Sequence, residues 1–177
     1  MITLRFDGLY RTLCPNNDPS EKTGLMCYGW VIFRDGRAVA HGHGAYARPK
    51  DASSNSAEYL ALIEGLQALR VMRAEREPVE VIGDARSVID QMLGQAGVSS
   101  PQSRTLYQRA RRIARHFQHL SWTWQPRRDN QVADQLTRRA LRQVHSDLES
   151  TRQALQASLQ PRQGLTALLD LCVFSGI

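Results

Sequence analysis

Alternating apolar and polar residues predict five β-strands along the chain. Near the start, "ITLRF" at residues 2–6 alternates strictly, which predicts a strand that ends at Asp7 and Gly8. Residues 9–26 contain Pro, Asn, Asp, Ser and Gly and predict a long loop. The remaining predicted strands are "CYGWVIF", "AVAHGHGAY", "VEVIG" and "LSWTW". Between the second and third strands, Asp35 and Gly36 provide the positive φ angles of a tight hairpin turn.

Apolar residues that recur every three or four positions predict four helices. The clearest pattern lies in "AEYLALIEGLQALRVM", where the apolar side chains fall on one helical face. The other predicted helices are "ARSVIDQML", "SRTLYQRARRIARHF" and a segment from about Asn130 to Val144.

The resulting order, βββαβααβα, indicates an α/β domain. Three strands linked by hairpins and two strands that follow helices predict a mixed sheet with helices on both faces. We expect this domain to span residues 1–145. Residues 146–177 predict an appended helix followed by an apolar tail, which packs on the domain, on a second subunit or on another protein.

The positive charge is concentrated in one part of the chain. The protein has 177 residues and a net charge of +6, yet residues 101–145 alone carry ten arginines against Asp129 and Asp134. Such a basic segment favours a polyanionic partner such as a nucleic acid. A solvated arginine face is the alternative, because only two of the 23 cations are lysines.

The remaining composition is typical of a globular protein of a reducing compartment. Apolar residues make up 42% of the chain, and no run is long enough to span a membrane. The N-terminus lacks the pattern of a signal peptide. The three cysteines have no metal-binding spacing, although a Cys14–Cys27 bridge stays open. We therefore expect a cytoplasmic protein without a membrane partner.

Four carboxylates fall at the ends of predicted elements. Asp7 and Asp84 follow the first and fourth strands, and Glu58 and Asp134 lie in the first turns of two helices. If the first and fourth strands are parallel neighbours, all four side chains can meet in one crevice. Clustered carboxylates repel one another unless they are protonated or bridged by cations, and Mg²⁺ prefers such oxygen ligands. Two ions about 4 Å apart can promote cleavage of a phosphodiester.

Each carboxylate also has a purely structural interpretation. Glu58 could complete a capping box with Asn55, and Asp84 could cap the following helix. Asp134 could pair with Arg138 one helical turn away. Asp7 could belong to a turn. The positions of all four at corresponding ends of the elements favour the metal site.

Four segments resemble those of type 1 ribonucleases H and their reverse-transcriptase-associated relatives. They are "FDG" at residues 6–8, "SNSAEYLALIEGLQAL" at 54–69, "VIGDARSVIDQM" at 81–92 and "PRRDNQVADQLTRRA" at 126–140. The resemblance covers about residues 2–143 and implies the ribonuclease H-like fold, with strands in the order 3-2-1-4-5. It also implies hydrolysis of the RNA strand of RNA/DNA hybrids with two Mg²⁺ or Mn²⁺ ions.

The resemblance assigns expected roles to particular residues. Asp7, Glu58, Asp84 and Asp134 take the places of the family's catalytic, metal-binding carboxylates. Asn55 takes the place of an asparagine that contacts the minor groove of the hybrid, where 2′-hydroxyls mark the RNA strand. Apart from the resemblance, we expect Arg111 and Arg115 to bind the duplex backbone.

This chain departs from the family pattern in three places. Many members have a histidine in the loop before the last aspartate, and residues 124–134 contain none, so Arg127 or Arg128 is expected to assist instead. Ala85 stands where a serine is common, and the loop at 9–26 lacks the usual glycine-rich run.

Other functions remain open at the level of sequence. Exonucleases of the same superfamily carry an Asp-x-Glu pair on the first strand, but Asp7 is followed by Gly8 and Leu9. A non-catalytic module that binds RNA or RNA/DNA hybrids is the main alternative outside enzymes. We expect Trp122 and Trp124 to lie in the core, and His41 and His43 to be surface residues and not metal ligands.

Overall fold

A computed structural model describes residues 1–13, 23–48 and 52–158. Five strands are present: β1 (Ile2–Leu13), β2 (Thr23–Arg34), β3 (Arg37–Arg48), β4 (Pro78–Gly83) and β5 (His119–Trp124). Four helices accompany them: α1 (Ser54–Val71), α2 (Arg86–Leu93), α3 (Pro101–Ala114) and α4 (Gln131–Ser158). A short 3₁₀ turn, Arg127–Asp129, precedes α4.

The strands form one mixed sheet in the order β3-β2-β1-β4-β5. β1 and β2 pair antiparallel, as do β2 and β3, whereas β4 pairs in parallel with both β1 and β5. Asp35 and Gly36, with φ angles of 50° and 79°, form the tight turn between β2 and β3. The α/β fold class and the strand order predicted from the sequence are therefore confirmed.

The main hydrophobic core lies between the sheet and α1. Leu4 and Phe6 of β1 pack there with Tyr59, Leu62 and Leu66 of α1, and all five are fully buried. A smaller cluster on the opposite face joins Leu25 and Cys27 of β2 to Ala140 of α4. Strand residues alternate between the two faces, so β1 and β2 contribute to both clusters.

Two glycines allow the helices on either side to approach the middle of β1. A Cβ atom on Gly8 would lie 2.3 Å from the backbone of Ala57 and Glu58 in α1. A Cβ atom on Gly29, which pairs with Asp7, would lie 2.7 Å from the Ala133 carbonyl of α4. The absence of side chains at these positions brings both helices close to Asp7.

The predicted end of the first strand at Asp7 and Gly8 is wrong. β1 continues to Leu13 because β2 offers a backbone partner to every residue from Ile2 to Leu13. Long-range pairing here outweighs the local turn tendency of Asp-Gly. The predicted loop at 9–26 is correspondingly shorter, and residues 14–22, which include Cys14, lie outside the described residues.

The last helix does not end near Val144. α4 runs without interruption to Ser158 and so crosses the predicted domain boundary at residue 145. Residues 145–158 contain neither Pro nor Gly and are rich in helix-forming residues, which explains the continuation. The function of residues 146–177 stays a prediction, and residues 159–177 lie outside the described residues.

The contact at Gly8 predicts a large loss of stability in Gly8→Ala. The added methyl group clashes with helix backbone, which cannot move without displacing α1, so we expect a loss of about 1–3 kcal/mol in the free energy of unfolding. Gly97→Ala is the matched control, because a Cβ atom there meets nothing within 4 Å. Urea denaturation measures both, and equal stabilities would contradict the proposed close packing.

Candidate active site

The parallel pairing of β1 and β4 brings Asp7 beside Asp84. Arg5 is opposite Ile82 in this ladder, so two further residues along each strand lead to Asp7 and Asp84. β4 ends at Gly83, and Asp84 stands between this strand and α2. Asp7 is buried and Asp84 is partly exposed.

Glu58 reaches the same place from α1. It lies in the second turn of the helix, where the backbone passes directly over Gly8. The Gly8 N–H donates a hydrogen bond to the Glu58 carboxylate. Asp7, Glu58 and Asp84 each offer a carboxylate oxygen, and these three oxygens lie within 4.8 Å of one another. We call these three residues the acidic triad.

The capping-box interpretation of Glu58 is wrong. The N-cap of α1 is Ser53, whose hydroxyl accepts a hydrogen bond from the Ser56 N–H. Asn55 lies inside the helix, and its side chain accepts a hydrogen bond from the Ser87 hydroxyl at the start of α2. Glu58 is therefore free of a capping role and available to the triad.

Burial and mutual repulsion make the acidic triad electrostatically costly. Burial, with the neighbouring Asp84 carboxylate adding to it, raises the pKa of Asp7 to about 7, although a hydrogen bond from Thr137 opposes the change. Burial, followed by the charges of Asp7 and Asp84, raises the pKa of Glu58 well above its ordinary value. Both shifts mean that the folded protein resists placing three negative charges here.

The donor set fits a hard divalent cation. Glu58 Oε2 is a buried carboxylate oxygen with no hydrogen-bond partner among the described residues. An unpaired buried oxygen is costly unless it accepts a proton or binds a metal ion. Three carboxylates at this spacing are the ligands that Mg²⁺ and Mn²⁺ prefer.

The fourth predicted carboxylate, Asp134, is not part of this triad. It lies in the first turn of α4, and both of its oxygens are engaged by arginines. Arg138 binds one of them at 2.7 Å, as predicted from the i,i+4 spacing, and Arg127 of the 3₁₀ turn binds the other. Although burial opposes the effect, hydrogen bonds from Arg138 and Arg127 hold the pKa of Asp134 below its ordinary value.

Thr137 connects Asp134 to the triad. Its hydroxyl lies 2.7 Å from Asp7 Oδ2 and 2.7 Å from the backbone carbonyl of Asp134. The first turns of α4 therefore touch the acidic triad through Thr137, while the Asp134 carboxylate is neutralised beside it.

Asn130 is a site residue that the sequence analysis named only as the approximate start of the last predicted helix. Its side chain is fully buried, and its Nδ2 atom donates to the Phe6 carbonyl at 2.8 Å and to Asp84 Oδ1 at 3.3 Å. One amide thus links β1, the residue after β4, and the start of α4. Its place in "RRDNQVAD", just before the helix that bears Asp134, was the only signal in the sequence.

Trp124 also supports Asp84, and its predicted place in the core is wrong. The ring is 37% exposed, and its Nε1 donates to the Asp84 backbone carbonyl at 3.0 Å. The Arg86 guanidinium lies 4.4 Å from the centre of the ring. β5 is an edge strand, and the Arg86 guanidinium covers one face of the ring of its last residue. Trp122 is partly buried against the main core.

The predicted basic residues occupy different surroundings. Arg127 reaches Asp134, whereas Arg128 is largely exposed and 3.8 Å from Asp129. Arg111 and Arg115 lie near the end of α3, where Arg111 contacts the Tyr107 ring and hydroxyl. His43 hydrogen-bonds Gln143 at the surface, and no metal-type cluster includes it in the described part of the chain.

Comparison with known proteins assigns the chain to a family. The model of the reverse transcriptase-like family matches residues 18–140. The chain belongs to this family. Its sequence is 35% identical over 119 residues to the ribonuclease HI of Halobacterium salinarum and, over the same length, to the bifunctional protein Rv2228c of Mycobacterium tuberculosis. These matches cover 67% of this chain, 57% of the first protein and 32% of the second.

Solved structures of the same family share the fold. The ribonuclease H1 of Halobacterium salinarum superposes with a TM-score of 0.68 at 32% identity, covering 80% of this chain and 98% of that one. The N-terminal ribonuclease H domain of Rv2228c gives 0.69 at 28% identity, covering 83% and 97%. In the described residues, no helix has the length and apolarity needed to cross a bilayer.

The acidic triad predicts that Asp7→Asn stabilises the metal-free protein at pH 8. Because the pKa of Asp7 is higher in the folded than in the unfolded state, wild-type stability falls as the pH rises from about 4 towards 8. Asn keeps the shape and the acceptor for Thr137 without the charge, so we expect a gain on the order of 2 kcal/mol. The gain should shrink at pH 5, where Asp7 is largely protonated.

Thermal unfolding in EDTA at the two pH values measures this effect. Asp129→Asn, a half-exposed carboxylate outside the triad, is the control and should change little. A loss of stability in Asp7→Asn that is equal at pH 5 and pH 8 would contradict the repulsion.

The bonds made by Asn130 predict a loss of stability in Asn130→Asp. The carboxylate keeps the size but cannot donate to the Phe6 carbonyl and adds a negative charge beside Asp84, so we expect a loss of about 2–3 kcal/mol at pH 8. Asn55→Asp is the matched control, since Asn55 accepts a hydrogen bond from Ser87 and Asp accepts equally well. Denaturant titrations measure the free energy of unfolding of both variants. An equal free energy of unfolding for Asn130→Asp and Asn55→Asp would contradict the linking role of Asn130.

Proposed function

We propose that the protein is an endoribonuclease that hydrolyses the RNA strand of RNA/DNA hybrids with two Mg²⁺ or Mn²⁺ ions. The observation that carries the proposal is the acidic triad, with its buried and unpartnered Glu58 oxygen. Family membership supports it, since Halobacterium salinarum ribonuclease HI is a relative. A structure of similar fold, LC11-RNase H1, is described in complex with an RNA/DNA hybrid, which at 23% identity supports the fold alone.

Asp7, Glu58 and Asp84 would hold the metal, with Asp134 completing the set. When bound, the divalent ions supply activation of a water molecule and stabilisation of the leaving oxygen. The protein orients the triad through three hydrogen bonds: from Thr137 to Asp7, from Gly8 to Glu58 and from Asn130 to Asp84. Trp124 holds the backbone of Asp84 from the other side.

Arg127 would exchange partners during the reaction. It neutralises Asp134 in the structure and lies close enough to Asp7 and Asp84 to be affected by their charges. A bound phosphate would compete for this guanidinium, which is well suited to phosphate oxygens. In this proposal Arg127, assisted by Arg128, replaces the loop histidine found in many members of the family.

Asn55 is the proposed minor-groove contact. Its side chain lies at the start of α1 and bonds Ser87 at the start of α2, beside Asp84. From this position an amide can donate to and accept from the 2′-hydroxyl of the RNA strand.

A hybrid-binding module without catalysis is the second candidate. The observation that favours it is the double ion pair of Asp134, which leaves three carboxylates in the triad in place of four. The two candidates differ in cleavage and not in binding.

The decisive prediction is divalent-dependent cleavage of the RNA strand. Wild-type protein with Mg²⁺ or Mn²⁺ should cut the labelled RNA of a hybrid and leave the all-DNA duplex intact. Asp84→Asn should lower kcat by at least about a hundredfold, because it removes a charge aimed at the reacting centre. Asp129→Asn should retain wild-type activity.

Gel analysis of products with both metals distinguishes the candidates. Equal cleavage by the wild type and Asp84→Asn would point to a contaminating nuclease and contradict the assignment. Hybrid binding without cleavage by the wild type in either metal would establish the binding module instead.

A further inference from the structure

A basic groove lies between α2, α3 and β5, outside the acidic triad. It consists of two adjoining concavities of about 300 and 340 Å³ that share Arg111 and Arg115. Arg112 extends the basic wall, and Leu93 and Trp122 form part of the apolar floor. We call these five residues the α3 groove.

The positive charge of the α3 groove has no acidic partner within the described residues. Ion pairs occupy other arginines, such as Arg34, Arg127 and Arg138, but none involves an arginine of α3 or Arg115 at its C-cap. Arg111 instead contacts the Tyr107 ring and hydroxyl, which hold its guanidinium at the groove. Several unpaired guanidinium groups on one helix attract phosphate oxygens.

The floor of the α3 groove is apolar. Leu93 is 44% exposed although it ends a helix packed against β5, and Trp122 is only partly buried. Arginines beside a partly apolar floor suit a nucleic-acid backbone, because the guanidinium groups bind phosphate oxygens while the apolar surface contacts the sugars. An acidic protein would match the charge, but α2 begins two residues after Asp84 and ends in this groove, which favours the nucleic acid proposed at the acidic triad.

The groove also lies at a defined distance from the triad. α2 starts two residues after Asp84 and ends at Leu93, so its eight residues span about 12 Å. One nucleic-acid strand advances about 3.4 Å per nucleotide, so roughly four nucleotides cover this distance.

We propose that the α3 groove binds the phosphodiester backbone of the substrate, about four nucleotides from the phosphate at the acidic triad. This proposal rests on the proposed function, since the same nucleic acid occupies both places. The contact provides affinity and orientation without reading sequence, because it addresses the backbone.

Binding to an RNA/DNA hybrid of about 20 base pairs, long enough to span both places, tests the groove. The assay uses fluorescence anisotropy in EDTA, with Asp84→Asn in every protein so that no substrate is cut. Arg111→Gln with Arg115→Gln should weaken binding about tenfold and reduce the slope of log K against log salt by about two. Arg37→Gln with Arg142→Gln removes the same charge from exposed positions on β3 and α4, which line neither concavity, and should leave the slope unchanged.

A second pair of variants leaves all arginines in place. Leu93→Glu puts a negative charge on the groove floor, whereas Leu93→Gln has the same shape without charge. We expect Leu93→Glu to bind several-fold more weakly than Leu93→Gln, with similar melting temperatures.

The possible outcomes test the groove proposal and the endoribonuclease activity independently. Unchanged affinity and slope in the arginine double variant, an equal effect in the control pair, or equal binding by the two Leu93 variants would overturn the groove. If the groove variants weaken binding but the wild type cuts no hybrid, the groove stands and the endoribonuclease fails. If the wild type cuts hybrids and the groove variants bind normally, the endoribonuclease assignment stands and the groove proposal fails.

Discussion

The repulsion among Asp7, Glu58 and Asp84 is the constraint around which the structure is arranged. Three carboxylates with oxygens within 4.8 Å, two of them buried, lower the stability of the fold unless protons or cations compensate. The carboxylates are nevertheless held close together because three regular elements fix their positions: the β1–β4 ladder, the first turns of α1 and the start of α4. Gly8 and Gly29 are essential to this arrangement, since a side chain at either position would move a helix away from Asp7.

Hydrogen bonds from the surrounding residues partly stabilise the negative charge of the triad. Thr137, Asn130 and the Gly8 N–H each donate to one carboxylate, and Trp124 fixes the backbone of Asp84. The Asp134 carboxylate differs from the triad, because ion pairs with Arg127 and Arg138 neutralise its charge. Among the described residues, the triad thus has hydrogen bonds but no ion pair, whereas the neighbouring Asp134 has two. One of these ion pairs would be lost if Arg127 bound another anion, such as a phosphate.

Much of the fold could be predicted from the sequence because the relevant signals are local. Alternation in β1 and β2, the Asp35-Gly36 turn and the helical spacing of Leu62 and Leu66 predicted the elements and their order. The strand order 3-2-1-4-5, which brings Asp7 beside Asp84, was implied by the resemblance to ribonucleases H and not by these local signals. One prediction failed because a distant partner outweighs a local tendency: β1 continues through Asp7-Gly8 since β2 pairs with it. Another failed locally, because Ser53 and Asn55 are both good capping residues and Ser53 is the N-cap. The link made by Asn130 depends on three segments far apart in the chain, and no local pattern encodes it.

The central claim is that the acidic triad binds divalent metal ions. A crystal structure of the protein soaked in Mn²⁺, with anomalous diffraction data, tests it directly. We expect strong anomalous peaks in contact with Asp7, Glu58 and Asp84, with Asp134 turned towards a second ion once Arg127 has moved away. Crystals that bind Mn²⁺ elsewhere but show no peak at these three carboxylates would contradict it.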